Sequence, residues 1–172
     1  MRIRRERPED HRAVRAVHRR AFARPGSTGD VAEAVLVDRL RAGPWWLPEL
    51  SLVAVVDEAV VGHAVATRAT VQPAGAPALG LGPLGVDPAW QRRGVGTALV
   101  HALLGAAEAR DEPVVAVLGD PAFYGRFGFG AAADQGVVAP DPGWGAAFQL
   151  RLLSGPPPRG TFRYAEPFER LG

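Results

Sequence analysis

The stretch LGLGPLGVDPAWQRRGVGTALVHALLGAAEAR, residues 79–110, decides the fold of this chain. Its apolar first part is broken by glycines and predicts a strand. That strand ends at Asp87-Pro88, because proline disfavours regular structure at the residue before it. Val95, Leu99 and Leu103 then recur at helical spacing. The stretch is therefore predicted to be a strand, a tight basic loop containing glycine, and a helix.

The loop before this helix, Gln91-Arg92-Arg93-Gly94-Val95-Gly96, is predicted to be an anion site. The first N–H groups of a helix have no partner inside it, and the positive end of the helix dipole lies beside them. A phosphate or pyrophosphate is the anion most readily held there. Two nucleotide motifs do not fit, because position 99 is leucine where G-x-G-x-x-G needs glycine, and the chain has no lysine for a P-loop.

A second segment, VVAVLGDPAFYGRFGF at residues 114–129, carries further signals. Its five leading apolar residues predict a short buried strand. Asp120-Pro121 predicts the start of a short helix, since aspartate accepts from free N–H groups and proline suits the first helical position. That helix carries Phe123 and Tyr124, and Gly128 ends it.

In this order, the two segments resemble the GCN5-related N-acetyltransferase (GNAT) superfamily, most of all its branch of predicted YhbS-like N-acetyltransferases. The resemblance lies in Gln-x-x-Gly-x-Gly opening a helix after Val-Asp-Pro, and in a tyrosine, Tyr124, four residues before the pair Gly128-Phe129. It implies a GNAT-like α/β fold: a mixed, mostly antiparallel sheet that splays at the cofactor cleft, with helices on both faces. It also implies acetyl-CoA as the co-substrate and no metal.

The same resemblance implies how the chain holds acetyl-CoA. The backbone of residues 84–86 pairs with the pantetheine arm, and the N–H groups of residues 92–97 hold the pyrophosphate, with added charge from two arginines. Phe123 contacts the pantetheine or adenine side. The expected cofactor-binding residues are Leu84, Gly85, Val86, Gln91, Arg92, Arg93, Gly94, Val95, Gly96, Thr97 and Phe123.

Acetyl transfer to an amine needs a neutral amine, a stabilised oxyanion and a proton for the leaving thiolate. By the resemblance, the Leu84 N–H is the expected oxyanion donor and Tyr124 the expected acid toward sulfur. Core packing beside Phe123 is the alternative role for Tyr124. The branch expects two adjacent tyrosines where this chain has Phe123-Tyr124, so any role of the first hydroxyl is absent here.

The general base is open between Glu33, His63 and an ordered water. Glu33 lies on a helix predicted at about residues 31–41, which the resemblance places along the acceptor side of the cleft. His63 lies on a predicted strand, and histidine is the side chain most easily tuned to accept a proton near neutral pH. The alternatives are a solvated helix carboxylate and a half-buried structural histidine. Trp45 and Trp46 are read as covering the edge of the core, with an acceptor pocket as the alternative.

The length and composition of the chain limit its domain organisation, its chemistry and its partners. With 172 residues we expect one N-acetyltransferase domain over 1–172, its cofactor core at about 79–130 and C-terminal strands at about 146–164. The absence of cysteine and lysine excludes disulfides, thiolate nucleophiles and Schiff-base chemistry. A net charge of +2 gives no case for nucleic acid or membrane partners. We therefore expect a cytoplasmic protein, with a small-molecule or peptide amine as acceptor and a homodimer as the oligomer suggested by the resemblance.

The whole pattern predicts the element order β-α-α-β-β-β-α-β-α-β-β, and hence a mixed sheet with helices on both faces. Residues 71–77 are predicted to be a loop, and the tail 165–172 has no assignment. The expected function is acetyl-CoA-dependent N-acetyl transfer to a primary amine by direct attack in a ternary complex. A non-catalytic acetyl-CoA or CoA sensor, or a partner subunit, is the main alternative, and a nucleotide-binding regulator is a weaker one.

Overall fold

The computed structural model describes residues 1–26 and 28–171. Their strands and helices follow the predicted order, with two additional two-residue strands between α4 and β8. The elements are β1 (Arg2–Arg5), α1 (His11–Ala21), α2 (Ala32–Arg41), β2 (Ser51–Val56), β3 (Ala59–Gln72), β4 (Ala76–Val86), α3 (Val95–Glu108), β5 (Val114–Leu118), α4 (Pro121–Tyr124), β6 (Gly130–Ala131), β7 (Val137–Val138), β8 (Phe148–Leu152) and β9 (Gly160–Arg163).

The strands form one mixed sheet in the order β1-β2-β3-β4-β5-β8-β6. Its ladders are antiparallel, except that β4 runs parallel to β5 and β7 runs parallel to β9. β3 is long enough to serve two partners on one edge, because β2 pairs with its first part and β9 with its last. β9 thereby brings the C-terminal part of the chain to the far end of β3, and β7 pairs with its other side.

The prediction of a loop over residues 71–77 is wrong. β3 continues to Gln72 and β4 begins at Ala76, with Val71 paired to Ala76 across a short turn. Val71 is buried in a cluster that includes Phe162, so its packing holds the strand beyond the point where proline and glycine suggested it would stop. Only residues 73–75 lie outside the two strands.

β4 and β5 separate partway along their length, as expected for the predicted splay. Their pairing runs from Leu79 opposite Val115 to Leu81 opposite Val117. Beyond that point β4 continues to Val86 paired with β3 alone. The separation begins at a bulge in the β3–β4 register, where glycine and proline weaken the ladder. An opening therefore forms between two strands of one sheet.

Helices cover both faces of this sheet, and β2 shows the division. Leu52 and Ala54 belong to the core beneath α3, whereas Val53 and Val55 pack with α1 and α2. This is the two-residue alternation of a strand buried on both faces. None of the helices in the described residues is long and apolar enough to cross a membrane.

The tail that the sequence left unassigned forms a 3₁₀-helix, Glu166–Leu171. Phe168 and Ala165 pack there against Leu36 and Leu40 of α2. Trp45 and Trp46 join the same cluster, which agrees with their reading as cover for the edge of the core. The tail therefore forms a wall beside α2.

Candidate active site

A cavity of about 920 Å³ opens where β4 and β5 separate. Its strand side is lined by residues 81–84 of β4 and residues 117–119 at the end of β5. Side chains from α1, α2, α4 and the C-terminal part of the chain complete the wall. These are Phe22, Glu33, Leu36, Tyr124, Pro140, Asp141, Trp144, Thr161, Phe162, Arg163, Tyr164, Phe168, Glu169 and Leu171.

Tyr124 reaches this cavity from α4, directly after β5. Its ring lies on Gly119, where any Cβ would overlap it, and stands edge-on to Phe123 and Phe129 at centroid distances of 4.9 and 5.7 Å. The residue is 8% exposed. Burial raises the pKa of Tyr124 to about 12. The phenol therefore keeps its proton throughout the neutral range and is available as a donor.

A second phenol lines the same cavity, so both tyrosines of the chain face one site. Tyr164 follows β9, and its ring lies on Gly80 of β4, where a Cβ would stand 2.6 Å away. Its centroid lies 4.7 Å from Phe168 and 6.3 Å from Trp144. We call these three side chains, Trp144, Tyr164 and Phe168, the aromatic wall. Burial, with Tyr124 nearby, raises the pKa of Tyr164.

The ionisable side chains of the cavity are mainly acidic. Glu33 of α2, Asp141 and Glu169 contribute carboxylates, and Arg163 contributes a guanidinium. Glu33 is half-buried, so it faces both the cavity and solvent. The position predicted along the acceptor side thus lines the same cavity as Tyr124. This arrangement favours a cationic ligand over an anionic one.

The α3 loop lies at the other end of the free part of β4. Arg92 and Gly94 adopt left-handed backbone conformations, with φ of 57° and 79°, and Gly94 is the residue before the helix. The first helical bond runs from the Ala98 N–H to the Gly94 carbonyl, 2.9 Å apart. The N–H groups of residues 95–97 precede it, which leaves them available to an anion.

Gly96 brings the predicted cofactor-binding residues together. A Cβ there would stand 3.6 Å from Phe123, 3.8 Å from Leu84 and 3.8 Å from Val86. The Gln91 amide donates to the Val86 carbonyl over 3.1 Å and so ties the loop to the end of β4. The loop, the free strand edge and the aromatic ring therefore border one space.

The two arginines of the loop are exposed. The Arg93 guanidinium lies 5.3 Å above the Trp90 ring. In the part of the chain that the structure describes, neither Arg92 nor Arg93 forms an ion pair. Their charge is available to phosphates bound at the helix start.

His63, one of the three candidates for the base, does not face the cavity. It is fully buried on β3 beneath α1, where its ring hydrogen-bonds to His18 and Ser51. A direct contact between His63 and an acceptor is therefore blocked by protein. Across residues 1–26 and 28–171, no group of three histidine or acidic side chains is placed to hold a metal ion.

Comparison with known proteins decides the family. Residues 2–132 match the family model described as an acetyltransferase (GNAT) domain. The uncharacterized N-acetyltransferase YhbS of Escherichia coli K12 is 34% identical over 175 residues, covering 99% of this chain and 100% of that protein. The chain belongs to the GNAT acetyltransferase family.

Solved structures of GNAT proteins agree. The crystal structure of E. coli YhbS in complex with CoA has a TM-score of 0.86 at 35% identity, covering 99% of this chain and 92% of the other. A Brucella melitensis GNAT acetyltransferase in complex with acetyl-CoA has a TM-score of 0.79 at 33% identity, covering 97% of each chain. The GNAT-like fold and the resemblance inferred from the two motifs are confirmed. The roles of individual residues stay predictions.

The GNAT family model ends at residue 132, before the aromatic wall begins. Sequence reasoning missed Trp144, Tyr164 and Phe168 as site residues. A phenylalanine and a tyrosine in the predicted edge strand were the available signal, but nothing local indicated that this strand pairs with the far end of β3. That pairing places the Tyr164 ring against Gly80 of β4.

Proposed function

We propose that this GNAT protein transfers the acetyl group of acetyl-CoA to the primary amine of a small acceptor by direct attack in a ternary complex. One observation carries the proposal. The β4–β5 splay opens onto a cavity that is lined by both a protonated phenol, Tyr124, and a carboxylate, Glu33. The CoA and acetyl-CoA complexes of the two similar proteins support the choice of co-substrate.

The residues of the α3 loop and of β4 fit acetyl-CoA. The space over Gly96 is bordered by Phe123, Leu84 and Val86, and the N–H groups of residues 95–97 precede the first helical hydrogen bond of α3. We assign the pantetheine arm to residues 84–86 and the pyrophosphate to the N–H groups of residues 92–97. Arg92 and Arg93 add charge there. When bound, acetyl-CoA supplies the activated acetyl group.

Two groups of this chain act on the reacting atoms. The Leu84 N–H donates to the acetyl oxygen as negative charge develops on it. We assign Tyr124 as the acid toward the sulfur of the leaving thiolate. Because its pKa is raised to about 12, the phenol is protonated at neutral pH and donates a hydrogen bond to the sulfur as negative charge develops there.

The far side of the cavity indicates the chemistry of the acceptor. The Glu33 carboxylate pairs with the acceptor as an ammonium ion before the proton is lost. The aromatic wall gives an apolar surface for the body of the acceptor. We therefore propose a primary amine attached to an apolar or aromatic group.

The test measures CoA thiol release against a panel of amines with charged, apolar and aromatic bodies, together with acetyl-CoA binding by calorimetry. We expect binding, turnover and a preference for the apolar or aromatic amines. Glu33→Gln should raise the KM for the amine with little change in acetyl-CoA affinity. Binding without turnover of any amine would favour a sensor, and tighter binding of ATP than of acetyl-CoA would favour a nucleotide-binding regulator.

A further inference from the structure

Three carboxylates line the cavity and reach it from three separate parts of the chain. Glu33 lies on α2, Glu169 lies in the 3₁₀-helix of the tail, and Asp141 directly precedes the 3₁₀-helix Pro142–Ala147. Across residues 1–26 and 28–171, none of the three forms an ion pair. Among the described residues that line the cavity, Arg163 is the only basic one. The cavity therefore has an excess of negative charge that a cationic ligand can balance.

The aromatic wall lies between two of these carboxylates. Tyr164 contacts Trp144 at 6.3 Å and Phe168 at 4.7 Å between ring centroids, so it forms the middle of the wall. Asp141 lies at the Trp144 end, where its carbonyl accepts from the Trp144 N–H over 3.2 Å. Glu169 follows Phe168 directly in the chain and lies at the other end.

Glu33 joins the Phe168 end of the wall. Phe168 packs in one cluster with Leu36 of α2. Leu36 lies three residues after Glu33, which places both on one face of the helix, and both line the cavity. Glu33 and Asp141 therefore flank an apolar, aromatic surface from opposite ends.

The Asp141 carboxylate is held in position and can still bind a ligand. Its Oδ1 accepts from the Gly143 N–H over 2.7 Å and so caps the 3₁₀-helix. A carboxylate has about four acceptor positions, so this bond leaves room for a donor from a ligand. Trp144 lies one turn further on, and the face of an indole ring attracts a cation. An ammonium group at this end of the wall can therefore interact with both side chains.

A buried hydroxyl gives independent evidence that the cavity holds a ligand. Tyr124 is 8% exposed and lines the cavity. Within residues 1–26 and 28–171, no group hydrogen-bonds to its hydroxyl. Buried polar side chains normally have a partner, so this hydroxyl is left for a bound molecule.

We propose that the acceptor is a diamine, with two ammonium groups joined by an apolar or aromatic body. The inference rests on the proposed function and narrows its class of acceptor. The amine that reacts pairs with Glu33, and the body lies along the aromatic wall. The second ammonium pairs with Asp141 beside Trp144. It is not acetylated, so it contributes to binding alone.

Arg163 favours a different acceptor, because a guanidinium would bind a carboxylate. The side chains of Arg163, Asp141 and Glu169 are all exposed, so water screens each of these charges. The excess of carboxylates decides the sign of the preference, and its size is that of exposed ion pairs.

The first test measures CoA thiol release by the wild-type protein from three substituted benzylamines. They are para-methylbenzylamine, para-xylylenediamine and para-carboxybenzylamine, which differ only in the group opposite the reacting aminomethyl group. After correction for its two identical amines, the diamine should have a kcat/KM about five times that of the methyl compound, the upper range for an exposed ion pair. The carboxylate should be the poorest acceptor. Equal values for the diamine and the methyl compound, or a preference for the carboxylate, would overturn the inference.

The second test removes the charge at the Trp144 end. Asp141→Asn keeps an oxygen that can cap the 3₁₀-helix, since asparagine is also a preferred cap. The preference for the diamine over the methyl compound should be lost. Asp134→Asn is the matched control, because Asp134 is exposed and lies outside the cavity, and it should keep the wild-type preference. A preference that survives in Asp141→Asn would refute the assignment of the second ammonium to Asp141.

Calorimetry separates this inference from the proposed function. The CoA-bound protein should bind para-xylylenediamine more tightly than para-methylbenzylamine, and Asp141→Asn should remove the difference. Turnover of the methyl compound without a preference for the diamine would refute the diamine and leave the proposed function standing. Turnover of no amine would refute the proposed function, and the two affinities would still decide whether the cavity selects a diamine.

Discussion

The two halves of β4 differ in one respect, and that difference separates scaffold from site. The first half, around Leu79, Gly80 and Leu81, pairs with β3 on one side and β5 on the other. The second half, from Leu84 to Val86, pairs with β3 alone. Both halves contain a glycine against which a ring packs, Tyr164 in the first and His18 in the second.

Backbone pairing therefore decides whether an apolar, glycine-rich strand belongs to the core or borders a binding site. Where both edges are satisfied, the strand is core. Where one edge is left open, its backbone groups need another partner, since unpaired buried N–H and C=O groups are costly. In a GNAT protein we infer that this partner is the pantetheine arm. Four sets of variants test this difference between the two halves, in order of decreasing effect.

Glu6→Gln tests how much the buried carboxylate after β1 contributes to stability. Glu6 accepts hydrogen bonds from Ser51 and Arg41, and its side chain is 3% exposed. Its folded-state pKa of about 2 lies below the ordinary value of 4.5. The stabilisation is therefore fully present above pH 4.5 and is lost as pH falls toward 2, and amounts to about 3 kcal/mol. In urea unfolding, the variant should be less stable by about that amount at pH 7, with the gap closing at pH 2.5. A gap that stays constant with pH would contradict the assignment.

Tyr124→Phe and Tyr164→Phe compare the two phenols of the cavity. Tyr124 lies where β4 and β5 separate, and the Tyr164 ring lies on Gly80 in the paired half of β4. In Tyr124→Phe we expect kcat to fall about 100-fold, since a general acid is removed, while the calorimetric acetyl-CoA affinity stays unchanged. Tyr164→Phe removes a hydroxyl from the same cavity and is the matched control. It should alter mainly the KM for the amine. Equal losses of kcat in the two variants would contradict the assignment of Tyr124 as the acid toward sulfur.

Gly80→Ala and Gly85→Ala place one methyl group in each half. The added Cβ would lie 2.6 Å from Tyr164 in the first and 2.7 Å from His18 in the second, so a ring must shift in both. Each should lose about 1–3 kcal/mol in chemical denaturation. Gly105→Ala on α3, with nothing within 4 Å, controls for the methyl group.

Gly96→Leu tests the space between the α3 loop and the open half of β4. The side chain would extend toward Phe123 and Leu84, into the place assigned to acetyl-CoA. Calorimetry should show acetyl-CoA affinity at least about tenfold weaker, or about 1.4 kcal/mol. Gly105→Leu, on the exposed side of the same helix, should bind as the wild type does. Unchanged binding in Gly96→Leu would place the cofactor elsewhere.

The parts of the site that lie close together in sequence could be predicted from sequence. Turn and cap residues within a few positions predict both the loop before α3 and the short helix that carries Tyr124. Their order then implied the family, and the family implied the splayed sheet. Glu33 lines the cavity, and its role toward the acceptor stays a prediction.

Contacts between distant segments could not be predicted. His18 and His63 lie 45 positions apart and meet only because α1 crosses β3 and β4. Tyr164 reaches the cavity through the pairing of β9 with β3. Local periodicity does not predict such long-range contacts, because they depend on which strand edge remains free after the other strands have paired.

β9 ties the acceptor side of the cavity to the rest of the sheet. Its pairing with the last part of β3 places the Tyr164 ring on Gly80 of β4, and Trp144 and Phe168 lie beside that ring. The aromatic wall therefore depends on the same strands that open at the β4–β5 separation. We expect a variant that weakens the β3–β9 pairing to deform the acceptor side of the cavity, while the α3 loop at the other end of the free part of β4 keeps its conformation.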